Sequence, residues 1–312
     1  MKKNGNRTEI LDLRTALEVL RNTPGQLIET NVEVDPAAEL SGVYRYVGAG
    51  GTVMRPTRVD GPAMIFHNVK GHPGASVAIG VLASRERVAN LFGCKKEELG
   101  HLVQSCAANP IQPVVVDGPA SHECWLLKVK AVTHRRNPIM QTCIGPSEEH
   151  VNMAGIPTEA SILGMIDKAL PGKVLNCYAH RSGGGKYIAV LQCKKTVHTD
   201  EGKQRQAALL AFSAFPELKH VILVDEDVDI FDTNDVLWAM NTRFQGDRDI
   251  ITIPGVRCHP LDPSSSPSYT GSIRDVGIST KTIFDCTVPF ELKDRFHRAP
   301  FLELAPEKWL HG

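Results

Sequence analysis

From Pro157 onward, segments with helical apolar periodicity alternate with short apolar runs, and this alternation restricts the fold more than any other feature of the chain. The run 220–227, HVILVDED, is a short strand without a polar face, so it needs cover on both sides, and the helices between such runs supply it. The pattern predicts a helix over 157–170, with Pro157 in its first turn and Gly172 beyond its end. Strands follow at 173–178 and 186–195, separated by the Gly183–Gly185 turn. A helix at 201–215, the strand at 220–227, a helix at 234–244 capped by Asp232 or Thr233, and a last clear strand at 249–255 complete the series. Helices alternating with apolar strands imply a layered α/β domain. The Pro/Ser-rich tail after Arg257 reads as largely irregular.

The first half is less regular. Ile10, Leu13, Leu17 and Leu20 recur at helical spacing, which predicts a helix over 8–23. A β-type run at 62–71 and an apolar run at 77–82 precede Ser84, an N-cap for a helix at Arg85–Phe92 stopped by Gly93. A further helix is expected over 97–108, before Pro110. Residues 110–123 read as a Pro/Gly-rich connection, and 126–136 alternate as a half-buried strand.

Lys+Arg and Asp+Glu both number 35, so no net charge draws the chain toward nucleic acid or an acidic membrane. No run approaches the length of a membrane helix, and the N-terminus lacks the apolar core of a signal peptide, so a cytoplasmic location is expected. None of the eight cysteines stands in a CxxC pair, which fits reduced thiols rather than a zinc or disulfide framework.

Several motifs carry chemistry. An apolar strand ending in acid resembles the magnesium strand of a P-loop ATPase, but 180–187 (HRSGGGKY) has His180 where the phosphate loop needs Gly and Tyr187 where it needs the magnesium-binding Ser or Thr after its Lys. Asp225, Glu226, Asp227 and Asp229 could bind a cation through oxygen, or cap a helix and pair with Arg243 or Arg257. The basic patch 133–137 (THRRN) could hold an anion or form a salt-bridged strand end. His134, His150 and His259 lie beside turns, and His259 stands in a Pro-bounded loop just after a strand, where open α/β folds place ligands.

Taken together, PAMIFHNVKG, SRERVANLFG, VTHRRNPIMQ, GPSEEHVNMAGIPTEASI, VILVDEDVDIFDTNDVLWAMNTRF, IPGVRCHPLDPSSSPS and IFDCTVP resemble, in family order, the UbiD family of decarboxylases. NVEVDPAAELSGVYRYVGAGG and QRQAALLAFSAF resemble its gallate and hydroxybenzoate branch. The resemblance implies an α/β (α+β) fold: a remnant of a split β-barrel flavin-binding domain plus a layered α/β oligomerisation domain. The expected division is 1–124 for the N-terminal part, 125–150 for a residual barrel strand and pocket segment, and 151–312 for the C-terminal domain.

The implied cofactor is prenylated FMN, held with Mn or Mg and K and supplied by a flavin prenyltransferase. The implied substrate is a small aromatic acid and the implied assembly a homo-oligomer. The family's catalytic Arg, its Glu-x-x-x-x-Glu element and its Asn, His and Glu metal ligands belong to a central block absent at a seam near Glu123–Leu126. No catalytic or metal residue is therefore identified. His259, Leu261, Glu149, His150 and Met153 match pocket-lining positions, with His259 suited to a phenolic hydroxyl. Ser213 matches the position where some relatives carry a phosphate-binding Lys. The expectation is a decarboxylase of hydroxylated aromatic acids (gallate, protocatechuate or 4-hydroxybenzoate) by family, impaired or inactive as this shortened chain. The alternative is an assembly module, or a subunit completed by a partner chain.

Overall fold

The computed structural model describes residues 10–48, 50, 60–110, 135–145, 147–265 and 278–299. The connection at 111–123, the seam and the strand expected at 126–136 lie almost wholly outside the described residues, as do Thr133 and His134.

The N-terminal part is a four-stranded mixed sheet with helices on its faces. Helix α1 (Leu13–Arg21) starts at Asp12, whose side chain accepts from the Thr15 amide. It leads to β1 (Leu27–Thr30), α2 (Glu39–Val47), β2 (Ala63–Phe66) and β3 (Ser76–Ile79). Every residue of β2 is buried because both faces of the strand are covered. Ala63 and Ile65 join Leu17 and Leu20 of α1, while Met64 and Phe66 join Leu40 and Tyr44 of α2, as the period-two alternation of a strand requires. Helix α3 (Arg85–Phe92) begins at the expected Ser84 cap and ends at Gly93, whose φ of +81° favours glycine. A short 3₁₀ turn precedes α4 (Leu99–Ala108), and β4 (Ile139–Thr142) completes the sheet. The strand order is β1-β2-β3-β4, with β1 and β2 parallel, β2 and β3 antiparallel, and β3 and β4 parallel. Strand β1 and helix α2 were not expected from the sequence.

The second part opens with α5 (Glu148–Ala169), capped by Ser147. This corrects the expected start at Pro157, which instead lies inside the helix. Ser147 and two acids in the first turn stabilise the N-terminus, and the exposed Pro157 removes only its own amide bond to the preceding turn. Next come β5 (Val174–Ala179), β6 (Ile188–Cys193), α6 (Lys203–Ala214), β7 (His220–Asp225), α7 (Thr233–Arg243, capped by Asp232) and β8 (Ile250–Arg257). A further strand, β9 (Ile278–Cys286), corrects the reading of the tail as irregular. It inserts between β7 and β8, parallel to the first and antiparallel to the second, in the order β5-β6-β7-β9-β8. Val221 and Leu223 of β7 pack with α5 and α6, while Ile222 and Val224 pack with Val236 and Ala239 of α7. The layered arrangement follows from that division.

The N-terminal sheet is open among the described residues. Its outer strands show the same partly exposed pattern, with Ile28 on β1 and Met140 on β4 exposed. An open edge presents unpaired amides and carbonyls. Hydrogen exchange should therefore show strong protection in β2 and fast exchange of the outward-facing amides of β1 and β4. Uniform strong protection through 62–82 and 139–142 would contradict the open sheet.

Candidate functional site

The first turns of α5 hold three of the expected pocket residues, and they meet different fates. Glu149 is fully buried, and its two carboxylate oxygens accept from the Gly80 amide at 2.9 Å and the Leu82 amide at 3.0 Å, in the turn between β3 and α3. Asn152 donates to the Leu82 carbonyl at 2.8 Å. Burial raises the Glu149 pKa, and the two amide bonds and the nearby Arg87 oppose that shift. Glu149 thus fastens α5 to the N-terminal sheet. His150 and Met153 are exposed.

One helical stretch further on, Glu159 is also fully buried. It accepts a two-pronged bond from Arg85 at 2.8 and 2.7 Å and a third from the Ala179 amide. The Arg85 guanidinium lies 4.9 Å from the Phe231 ring centre and 5.3 Å from that of Tyr178.

His259 is buried in the loop after β8, and Leu261 beside it is highly exposed. The His259 Nδ1 accepts from the Leu261 amide at 3.0 Å. Its Nε2 lies 3.2 Å from Glu217 and 3.4 Å from Lys186, and the Tyr187 ring stands edge-on to the imidazole at 5.4 Å. Lys186 and Tyr187 follow Gly185, whose φ is +72°. A Cβ at Gly185 would come within 2.6 Å of the Val151 carbonyl of α5. This glycine seats the His259 cluster beside the start of α5, although no hydrogen bond or ion pair among the described residues joins His259 to Glu149, His150 or Met153. Lys186, Tyr187 and Glu217 were missed by sequence reasoning. Lys186 entered it only as a phosphate-loop lysine with the wrong neighbours, and no spacing signal ties either Lys186 or Glu217 to His259.

The acidic run is organised by arginine. Arg243 donates to Asp225 at 2.9 Å and to both oxygens of Asp227 at 2.8 and 2.6 Å. Arg298 reaches Asp227 and Asp235, and the Trp238 ring lies 5.0 Å from Arg243 and 4.2 Å from Arg298. Arg257, the other partner expected, does not join them. The same guanidinium serves two carboxylates with opposite results. Burial raises the Asp225 pKa, whereas the Arg243 bond holds half-exposed Asp227 below the usual Asp value. Among the described residues no group of three or more His, Cys, Asp or Glu side chains is placed to hold a metal ion. Ser213 is exposed on α6 and donates to the Leu209 carbonyl at 3.1 Å, with no cradle for a phosphate around it among the described residues. The described residues therefore do not fit a metal-bound flavin phosphate. None of the described cysteines is in a disulfide, and burial pushes Cys286 up to about 12. No helix among the described residues is long and apolar enough to cross a membrane.

Comparison with known proteins places these features in context. Residues 19–106 match the model of the 3-octaprenyl-4-hydroxybenzoate carboxy-lyase N-terminal domain, and residues 151–286 match that of the C-terminal domain of the same family. Gallate decarboxylase of Lactiplantibacillus plantarum is 36% identical over an alignment of 484 residues, which covers 96% of this chain and 99% of that protein. This chain has 312 residues, so a large part of the alignment has no counterpart in it. The apo structure of a 3,4-dihydroxybenzoic acid decarboxylase from Enterobacter cloacae is 34% identical, with a TM-score of 0.84 covering 97% of this chain and 99% of that one. The UbiD-class enzyme HmfF of Pelotomaculum thermopropionicum, solved with FMN, shares the fold at 19% identity and a TM-score of 0.76, covering 96% of this chain and 100% of that one.

Two substitutions test the electrostatic assignments. E149A leaves two amides without acceptors and should cost about 2–4 kcal/mol in urea unfolding, while E149Q, which keeps one acceptor, should cost less. An equal, negligible effect of both would remove Glu149 as the fastener. Asp227 is held below its ordinary value of 3.8, so its contribution is present above that pH and is lost as pH falls through its lower folded value. D227N should therefore lower stability at pH 7 by at most about 1 kcal/mol, after solvent screening. The gap to the unsubstituted protein should narrow below pH 3.8. A gap that is constant with pH would contradict the ion-pair assignment.

Proposed function

The chain belongs to the UbiD carboxy-lyase family, and we propose that it is a shortened decarboxylase of the gallate and dihydroxybenzoate type that keeps a hydroxyaryl-recognition site but does not turn over by itself. The observation that carries this reading is the fate of the two buried acids on α5. Glu149 and Glu159 are consumed in holding backbone amides and Arg85, so neither is free to deliver a proton to a substrate carbon. The exposed Ser213 offers no phosphate cradle among the described residues, and the alignment with gallate decarboxylase runs to 484 residues against the 312 of this chain. Loss of a general acid alone lowers a rate by about 10²–10⁴-fold. Because the described residues do not fit the flavin and its metal, no catalytic step is assigned to them.

His259 supports retention of substrate recognition. It is buried, oriented by a backbone bond and accompanied by Lys186 and Glu217, so it can exchange a hydrogen bond with a phenolic hydroxyl. A hydroxylated aromatic acid is therefore the ligand class, in keeping with the gallate and dihydroxybenzoate decarboxylases among its relatives.

A second reading draws on the open edges of the N-terminal sheet. A partner chain could supply the missing strands and complete a site, or the chain could serve only as an assembly module. Co-expression with a flavin prenyltransferase separates the readings. The purified chain is expected to show no flavin absorbance and to release no CO2 from protocatechuate or gallate. Bound flavin with turnover would sink the proposal, and a colourless, well-defined oligomer would favour the assembly module over a partner-completed enzyme.

A further inference from the structure

The His259 cluster holds one acceptor where two donors converge. The Leu261 amide can only donate, so His259 Nδ1 is the accepting nitrogen and, in the neutral ring, Nε2 carries the proton. The Glu217 carboxylate lies 3.2 Å from Nε2, at ion-pair distance from that proton. The Lys186 ammonium also only donates. Its 3.4 Å approach to Nε2 thus sets donor against donor, and Glu217, 3.7 Å away, is the anion that accommodates it. The His259 side chain is 9% exposed, whereas Lys186 and Glu217 are 33% and 38% exposed, so the cluster opens to solvent on their side.

We propose that Glu217 is a specificity-determining residue: it makes the His259–Lys186 cluster select a ring substituent that both donates and accepts, a phenolic hydroxyl, over one that only accepts. The inference rests on the reading of His259 as the hydroxyaryl site. A hydroxyl entering the cluster accepts from Lys186 or His259 and donates its own proton to Glu217, so every group stays paired. A methoxy oxygen leaves Glu217 facing a methyl group, with an acceptor unmatched. Discrimination of this kind arises because a site built to bond a hydroxyl is left with unpaired groups by an analogue lacking it. Here the cluster is partly open, so water softens the penalty.

The test uses the purified chain without cofactor, 15N-labelled at histidine, with 4-hydroxybenzoate and 4-methoxybenzoate as probes. The His259 ring should report an unprotonated Nδ1 and a protonated Nε2, and its resonances should shift on titration with 4-hydroxybenzoate. The hydroxy acid should bind about tenfold more tightly than the methoxy acid, the range of one hydrogen bond left unmade at a part-exposed site. In E217Q the ratio should fall below about threefold, through weaker discrimination rather than loss of binding. E217A, measured in parallel, supplies the same comparison if E217Q is unstable. If neither acid moves the His259 resonances, the hydroxyaryl reading fails and this inference with it. If the hydroxy acid binds but its preference survives both substitutions, the site stands and the role of Glu217 is overturned.

Discussion

Two carboxylates buried on one helix hold the two halves of this protein together. Glu149 and Glu159 lie about three helical turns apart on α5, and both are fully removed from water. Burying a carboxylate is costly unless both of its oxygens find donors. Glu149 meets that condition with two backbone amides from the turn after β3, and Glu159 with a two-pronged arginine bond and the Ala179 amide. Because the donors come from α3, from the β3–α3 turn and from β5, the N-terminal sheet, α5 and the C-terminal sheet are tied at fixed positions. The position of the His259 cluster follows from this, since Gly185 seats the Lys186–Tyr187 turn on the first turns of the same helix.

The C-terminal sheet applies similar logic to charges at the end of its central strand. Acid at the end of β7 is drawn into a network with Arg243 and Arg298, flanked by the face of Trp238, and not into a cation site. An arginine fork satisfies two carboxylates at once and stays charged under all conditions a protein meets. Asp225 and Asp227 differ in their protonation behaviour because one is buried and the other is half in water.

The contrast between the two halves has functional weight. The C-terminal sheet buries its inner strands under helices on both faces and ends in the partly exposed β8, whereas the N-terminal sheet ends in two partly exposed strands among the described residues. Domain models of one family match on either side of the interval 107–150, and the alignment with gallate decarboxylase is far longer than the chain. Family membership, an open sheet and acids given over to structure thus coexist in one molecule. The residues of the proposed hydroxyaryl site, His259, Lys186 and Glu217, lie in the C-terminal half.

Local chemistry made much of this molecule legible in its sequence. The Ser84 and Gly93 boundaries of α3, the Asp232 cap of α7 and the buried strand β7 follow from caps and from apolar runs whose meaning depends on near neighbours alone. Ordered motifs also placed the chain in its family and singled out His259. Longer-range geometry was not legible. The start of α5 was hidden behind Pro157, because a proline usually marks a first turn but can be tolerated inside a helix with a well-capped start. Strand β9 sat in a tail that read as irregular, and its place between β7 and β8 is set by backbone pairing across the sheet. Glu149 resembled a pocket acid, yet only packing showed its oxygens turned toward the Gly80 and Leu82 amides. Lys186 and Glu217 became partners of His259 through two separate crossings of the sheet. Sequence alone determined which local elements this chain forms and which family it resembles. Tertiary structure decided which charged groups serve packing and which remain available to a ligand, because desolvation and hydrogen-bond pairing depend on neighbours that are distant along the chain.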